Sequence, residues 1–166
     1  MSHDLILILH NIRSTHNVGA MLRTAEGLGV HQVYLTGYTP YPLMQHDPRL
    51  PHVARKLDAQ IHKTALGAEQ LVHWEHRDTV EPLLGILRNG RYRIVALEQD
   101  DRAVSLPIYR PPEKLALIVG REVEGIEPEV LAQCDEVLEI PMTGKKESFN
   151  VASAAAMALY HLALAM

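Results

Sequence analysis

The sequence is poor in several residue types, and each shortage excludes something. It holds one cysteine, Cys134, so no intrachain disulfide can form, and a reducing, cytoplasmic compartment is the expectation. Phenylalanine and tryptophan occur once each. No apolar run approaches the ~20 residues of a membrane span. The aliphatic run at 5–9 is shorter than a signal h-region of ~7–15 residues, and Met1-Ser2-His3-Asp4 before it carries no basic n-region. Positive charge is also short: 16 Lys+Arg face 20 Asp+Glu, for a net charge of −4. A domain that coats nucleic acid usually has a pI above ~9, so a generic polyanion binder is excluded, though a local basic patch is not.

What is present is an ordinary globular composition, 47% hydrophobic over 166 residues, which fits one domain spanning 1–166. The run at 5–9 suits a strand buried on both faces. Asn17 can cap a helix reaching Leu28, with Val18, Met21, Leu22 and Ala25 on one stripe. Further strands are expected at 32–36, 71–74, 93–97, 115–119 and 137–140. Helices fit at 53–60, 80–89, 129–134 and 150–165, and the proline-rich stretch 37–51 reads as loop. Strands alternating with amphipathic helices predict an α/β fold with a mainly parallel sheet.

Familiar motifs fail on inspection. Gly27-Leu28-Gly29 closes a helix where a dinucleotide fingerprint would open one. The glycines of 120–125 have phosphate-loop spacing, but Ile126-Glu127 stand where Lys-Ser/Thr belong. Of the ten histidines, His73 and His76 lie close, yet neither has a cysteine or acidic triad nearby, so no metal site is expected.

Three stretches remain, each at the strand-end edge where α/β sheets bind ligands. The first is 10–19, His-Asn-Ile-Arg-Ser-Thr-His-Asn-Val-Gly, followed by Arg23. Gly19 and Gly27 lie one turn either side of Arg23, which would let a backbone or ligand approach the guanidinium. Taken by themselves, these residues read better as a capped helix with a solvated arginine. The second is 117–125, with Gly120, Glu122 and Gly125 after an apolar strand; a surface turn would look the same. The third is 140–151, from Ile140 through Ser148, Phe149 and Asn150 into an alanine-rich helix that must pack closely against something.

Together, in this order, the three stretches resemble the SpoU/TrmH branch of the SPOUT RNA methyltransferases. The first is similar to that family's N-x-R…N-x-G…R, the second to its G-x-E-x-x-G, the third to its I-P-M…S-x-N-V. Residues 63–69 resemble a further family segment, and Phe149 stands where leucine or methionine is commoner. The resemblance implies a Rossmann-like sheet whose C-terminal segment is threaded as a trefoil knot, a rare exception to the rule against threading. It implies a homodimer with the site at the subunit contact, and S-adenosylmethionine as methyl donor without a metal. Leu97, Gly120, Ile140 and Phe149 would hold the donor. Arg23 would carry the chemistry, as phosphate clamp or proton acceptor, with Asn17, Glu122, Ser148 and Asn150 orienting the reacting groups. The implied product is a 2′-O-methyl ribose in tRNA or rRNA. A non-catalytic RNA-binding dimer and a base methyltransferase are the alternatives.

RNA affinity would need a local patch, and Arg49, Arg55, Lys56 and Lys63 supply one against the single acid Asp58. The chain opens close to the first strand and ends on the motif helix, so a bare catalytic domain without an added RNA-binding domain is expected.

Overall fold

The central strand β1 (Asp4–His10) shows why its sequence is aliphatic throughout. Leu5, Leu7 and Leu9 enter one core and Ile6 and Ile8 the other, because side chains alternate between faces and both faces are covered. Each aliphatic side chain so buried contributes ~1.5–3 kcal/mol.

The computed structural model describes residues 4–165; residues 1–3 and 166 of the expected domain lie outside the described residues. From β1 the chain runs through α1 (Thr15–Gly27), β2 (Gln32–Thr36), α2 (Pro51–Ala65), β3 (Trp74–Arg77), α3 (Glu81–Asn89) and β4 (Arg93–Leu97). It continues through β5 (Val104–Ser105), β6 (Lys114–Val119), α4 (Pro128–Leu131), β7 (Glu136–Glu139) and α5 (Val151–Ala165). The sheet has the order β3-β2-β1-β6-β4-β7-β5, and every pair is parallel. The chain leaves β1 for β2 on one side and later returns to place β6 on the other. A second reversal, with β6 on one side of β4 and β7 on the other, opens a crevice at the C-terminal ends of these strands. α1, α2 and α5 cover one face through Met21, Leu22, Ile61, Ala158 and Leu159, while α3 and α4 cover the other through Leu83, Leu84 and Val130.

Several expectations shift. Asn17 does not cap α1: Ser14 does, its hydroxyl accepting from the Asn17 N–H at 3.1 Å, which leaves the Asn17 amide free. α2 runs past 60 to Ala65, because Ile61 and Ala65 are buried against α1 and the helix stops only at the positive φ of Leu66 and Gly67. Gly19 does not open a path to Arg23. A Cβ there would strike Thr64 and the Ile61 carbonyl, so the glycine is occupied by the α1–α2 contact inside the chain. The strand expected at 71–74 lies at Trp74–Arg77, since Ala68–Gln70 form a 3-10 turn and the Trp74 indole donates to the Glu69 carbonyl at 3.0 Å. α4 is a single turn ending at Leu131, and β5 is a two-residue edge strand with no counterpart in the expected elements. The close packing expected of α5 is present: Ala155 and Ala158 are fully buried, whereas Met157, Tyr160 and Leu164 face outward.

Candidate active site

The crevice is a cleft of ≈260 Å³ built from the loops that follow β4, β6 and β7 and from the start of α5. Leu97, Gly120, Ile140, Ser148 and Phe149 all line it, as does Glu122. Gly120 is required by the packing of its loop, since a Cβ there would meet Ile126 and Gly125. Gly125 has φ +72, and the loop closes on itself where Arg121 Nε donates to the Gly125 carbonyl at 3.0 Å.

Glu122 joins this loop to the one after β1. Its carboxylate accepts from the N–H groups of Ser14 at 3.0 Å and Arg13 at 3.3 Å and from the Asn17 amide at 3.4 Å. Burial pushes the Glu122 acid up, but these donors outweigh it and hold the group below its usual carboxylate value. Asn150 completes the link, donating to Asn17 Oδ1 at 3.3 Å while its own Oδ1 accepts from the N–H groups of Ala152 and Ser153 at the start of α5. Asn17, Glu122 and Asn150 therefore form one bonded chain, with Ser148 beside it on the cleft wall.

Three residues were missed in the sequence. Glu98, directly after β4, accepts from the Ile126 N–H at 3.1 Å and ties two cleft loops together. Gln99 donates to the Glu147 carbonyl at 2.6 Å, tying in the third. Beneath the loops, Glu127 lies 3.0 Å from His10 Nε2 and accepts from Asn11 at 2.8 Å. Burial lowers the His10 imidazole against the pull of Glu127, so it stays neutral near pH 7. The one available signal was position, for Glu98 and Gln99 directly after β4; Glu127, at the start of α4, carried none.

The cleft is strongly acidic. Glu98, Glu122, Glu124, Glu139 and Glu147 line it against Arg121, alongside apolar Leu97, Val119, Ile140, Phe149 and Val151. Such a lining suits a cationic ligand with one flat apolar part. Among the described residues, no group of three or more His, Cys, Asp or Glu side chains is placed to hold a metal ion. No helix among the described residues is long and apolar enough to cross a membrane.

Two expected residues lie elsewhere. Arg23 is exposed on α1, outside the cleft of its own chain, and makes no hydrogen bond or ion pair among the described residues. It is six residues beyond Asn17, about 9 Å along the helix and on another face. Arg49 does not belong to a free basic surface. Its guanidinium donates to Asp47 at 2.8 Å and to the carbonyls of Tyr41 and Pro42 at 2.8 and 2.9 Å, and it stacks 3.6 Å above the Tyr41 ring. With its donors spent on the proline-rich loop, Arg49 is a staple for that loop. Arg55, Lys56 and Lys63 are exposed on α2 and form no ion pair among the described residues.

The profile of the SpoU rRNA Methylase family matches residues 4–160. The 23S rRNA (guanosine-2′-O-)-methyltransferase RlmB of Acinetobacter baylyi is 30% identical over 156 residues, 94% of this chain and 58% of that protein. The chain thus spans little more than half the length of that relative. An AdoMet-bound rRNA methyltransferase structure from Sinorhizobium meliloti superposes with a TM-score of 0.81 at 20% identity, over 97% of this chain and 56% of that one. A structure solved to explain 2-OH methylation of C/U34 on tRNA gives a TM-score of 0.75 at 28% identity and covers 96% of this chain and 94% of that one. The fold held in common is the parallel Rossmann-like sheet with its C-terminal trefoil knot.

Proposed function

The chain belongs to the SpoU rRNA Methylase family, and from that membership we propose that it is an S-adenosylmethionine-dependent RNA ribose 2′-O-methyltransferase. The observation that carries this reading is the acidic, partly apolar cleft bordered by the Asn17–Glu122–Asn150 chain. Its carboxylates suit the ammonium and sulfonium charges of the donor, and Leu97, Ile140 and Phe149 suit the adenine ring. The donor supplies an electrophilic methyl group that needs no metal. Residues 1–166 would serve as one methyltransferase domain acting on tRNA or rRNA in the cytoplasm.

In this reading Ser148 and Asn150 orient the ribose so that its 2′-oxygen lies in line with the methyl group and the departing sulfur. The new O–C bond forms as the C–S bond breaks, leaving a neutral thioether, and the hydroxyl proton must be taken up. Arg23 acts in one of two ways: as the charged fork it holds the flanking phosphate and steadies the developing charge while the proton passes to water, or, deprotonated beforehand, it receives the proton itself. Because it stands outside its own cleft, it would act in a homodimer, on the cleft of the second copy. The exposed apolar side chains Met157, Tyr160 and Leu164 support such an interface. Arg55, Lys56 and Lys63 would meet RNA phosphates.

The test is calorimetry with S-adenosylmethionine, followed by incubation with RNA from a strain lacking the gene and nucleoside mass spectrometry of the product. A 2′-O-methyl nucleoside is expected. No donor binding at millimolar concentration would favour a non-catalytic RNA-binding protein, and a methylated base would move the chemistry off the ribose.

A further inference from the structure

Beside the cleft, and not used by it, an aromatic side chain is held out into solvent on a rigid backbone. Tyr38 stands two residues after the end of β2 and is 51% exposed. Its N–H donates to Asn11 Oδ1 at 3.1 Å, and Gly37 before it has φ +65 and sits so close to Asn11 that no Cβ would fit. The buried Thr39 after it donates to the Leu9 carbonyl at 2.8 Å and accepts from the Ile12 N–H at 3.0 Å. The same hydroxyl thus fixes the backbone on either side, next to Tyr38 and next to Arg13.

Arg13 is exposed, makes no ion pair among the described residues, and places its guanidinium carbon 6.0 Å from the Tyr38 ring centre. Its backbone N–H, with that of Ser14, donates to Glu122, at 3.3 Å. The two side chains stand at the mouth of a second hollow of ≈390 Å³, walled by Pro40, Tyr41 and His76. Tyr41 and His76 are stacked there, 4.1 Å apart, and His76 Nδ1 is buried without a hydrogen-bond partner. Of the acids nearby, Asp47 is paired with Arg49, Asp58 accepts from the Leu43 N–H, and Asp78 lies 3.1 Å from His76 Nε2.

An unpaired guanidinium beside a fixed, half-exposed aromatic ring suits a flat base on an anionic backbone. A duplex would keep its base faces covered, so the matching ligand is single-stranded. We propose that Tyr38 and Arg13 form a subsite that stacks the base and holds the phosphate of a nucleotide flanking the one methylated, selecting single-stranded RNA. This rests on the reading of the cleft as an RNA methyl-transfer site, because the continuity from Glu122 through Arg13 to Tyr38 makes the subsite adjacent to it.

The experiment measures binding of a mixed-sequence 15-nucleotide RNA, single-stranded and annealed to its complement, by fluorescence anisotropy. Tyr38→Ala should weaken the single strand roughly tenfold while leaving the duplex unchanged, and Tyr38→Phe should retain wild-type affinity. Arg13→Ala should lower the salt slope by about 0.7, as expected for one lost phosphate contact on a single strand. Affinity for S-adenosylmethionine and melting temperature should not move. Unchanged single-strand affinity in Tyr38→Ala, equal loss in Tyr38→Phe, or absent wild-type binding to the single strand would each overturn the subsite. Methyl transfer to RNA is scored separately in the wild type: its failure counts against the enzymatic reading, whereas the stacking result is read from binding alone.

Discussion

Asn150 donates through its side-chain amide to Asn17 Oδ1 at 3.3 Å, although 133 positions separate the two residues. The first loop and the last helix are thereby joined above the sheet edge, and Glu122 braces the joint from the loop after β6. Changes here should loosen the cleft as a whole.

Glu122→Gln should destabilise the protein by about 1 kcal/mol at pH 7, since a neutral amide is a weaker partner for two N–H groups and an asparagine. The folded carboxyl is more acidic than an exposed one. Its contribution is therefore complete above the ordinary pKa of ~4.3 and is lost as pH falls through the lower folded value. Urea unfolding at pH 7, 5.5, 4 and 3 should show the difference from wild type shrinking at the acid end. A difference that grows on acidification would contradict the assignment.

Gly19→Ala should destabilise by about 1–3 kcal/mol, because the added methyl group meets the Ile61 carbonyl and Thr64 and must push α2 away from α1. Gly27→Ala, with open space around it, serves as the comparison and should not destabilise. Thermal melts of the two variants decide this.

Arg23→Ala should change stability by less than ~0.5 kcal/mol, since the side chain is exposed and unbonded among the described residues. Turnover should fall sharply, and Arg23→Lys should resemble it because a point charge does not replace the fork. If Arg23 serves the second copy, co-expression of Arg23→Ala with Ser148→Ala should recover roughly a quarter of wild-type activity from mixed dimers. No recovery above the separate variants would place both residues in one chain's site.

Arg55→Ala combined with Lys56→Ala should reduce the slope of log affinity against log salt by about 1.4 for a single-stranded RNA. Donor binding should stay intact. Arg49→Ala is expected to behave differently, destabilising the loop through loss of its bonds to Asp47, Tyr41 and Pro42. Salt titrations of RNA binding, paired with melts, separate the two effects.

Much of this arrangement was legible in the sequence where burial was complete. β1, β2, β4 and β6 are apolar runs and were located within a residue or so. β3 was displaced because it is an edge strand of Trp-Glu-His-Arg whose polar side faces solvent, while the apolar Leu71-Val72 before it leads out of a 3-10 turn. The cap of α1 was misplaced because Ser14 and Asn17 are both good caps, and only geometry shows that the second hydrogen-bonds to the first. The cleft lining at Leu97, Gly120, Ile140 and Phe149 followed from strand ends and family motifs. Glu98, Gln99 and Glu127 did not, since each acts through a partner far away in the chain. Arg49 looked like a surface charge because its partner Asp47 lies just outside the stretch 49–63, and its other bonds are to backbone carbonyls, which no charge pattern reveals.

The register of the central pair has a consequence for synthesis. Leu5 lies beside Leu115, so the N-terminal strand cannot gain its inner neighbour until residues 114–119 have been made. At a ribosomal rate of 5–20 residues per second, that leaves about 5–20 s during which one edge of an aliphatic strand stands open on the nascent chain. An unpaired edge of this kind invites pairing with other chains. Newly made protein should accordingly depend on chaperone shielding during elongation far more than the finished molecule does, and slowing translation between β2 and β6 should lower its soluble yield.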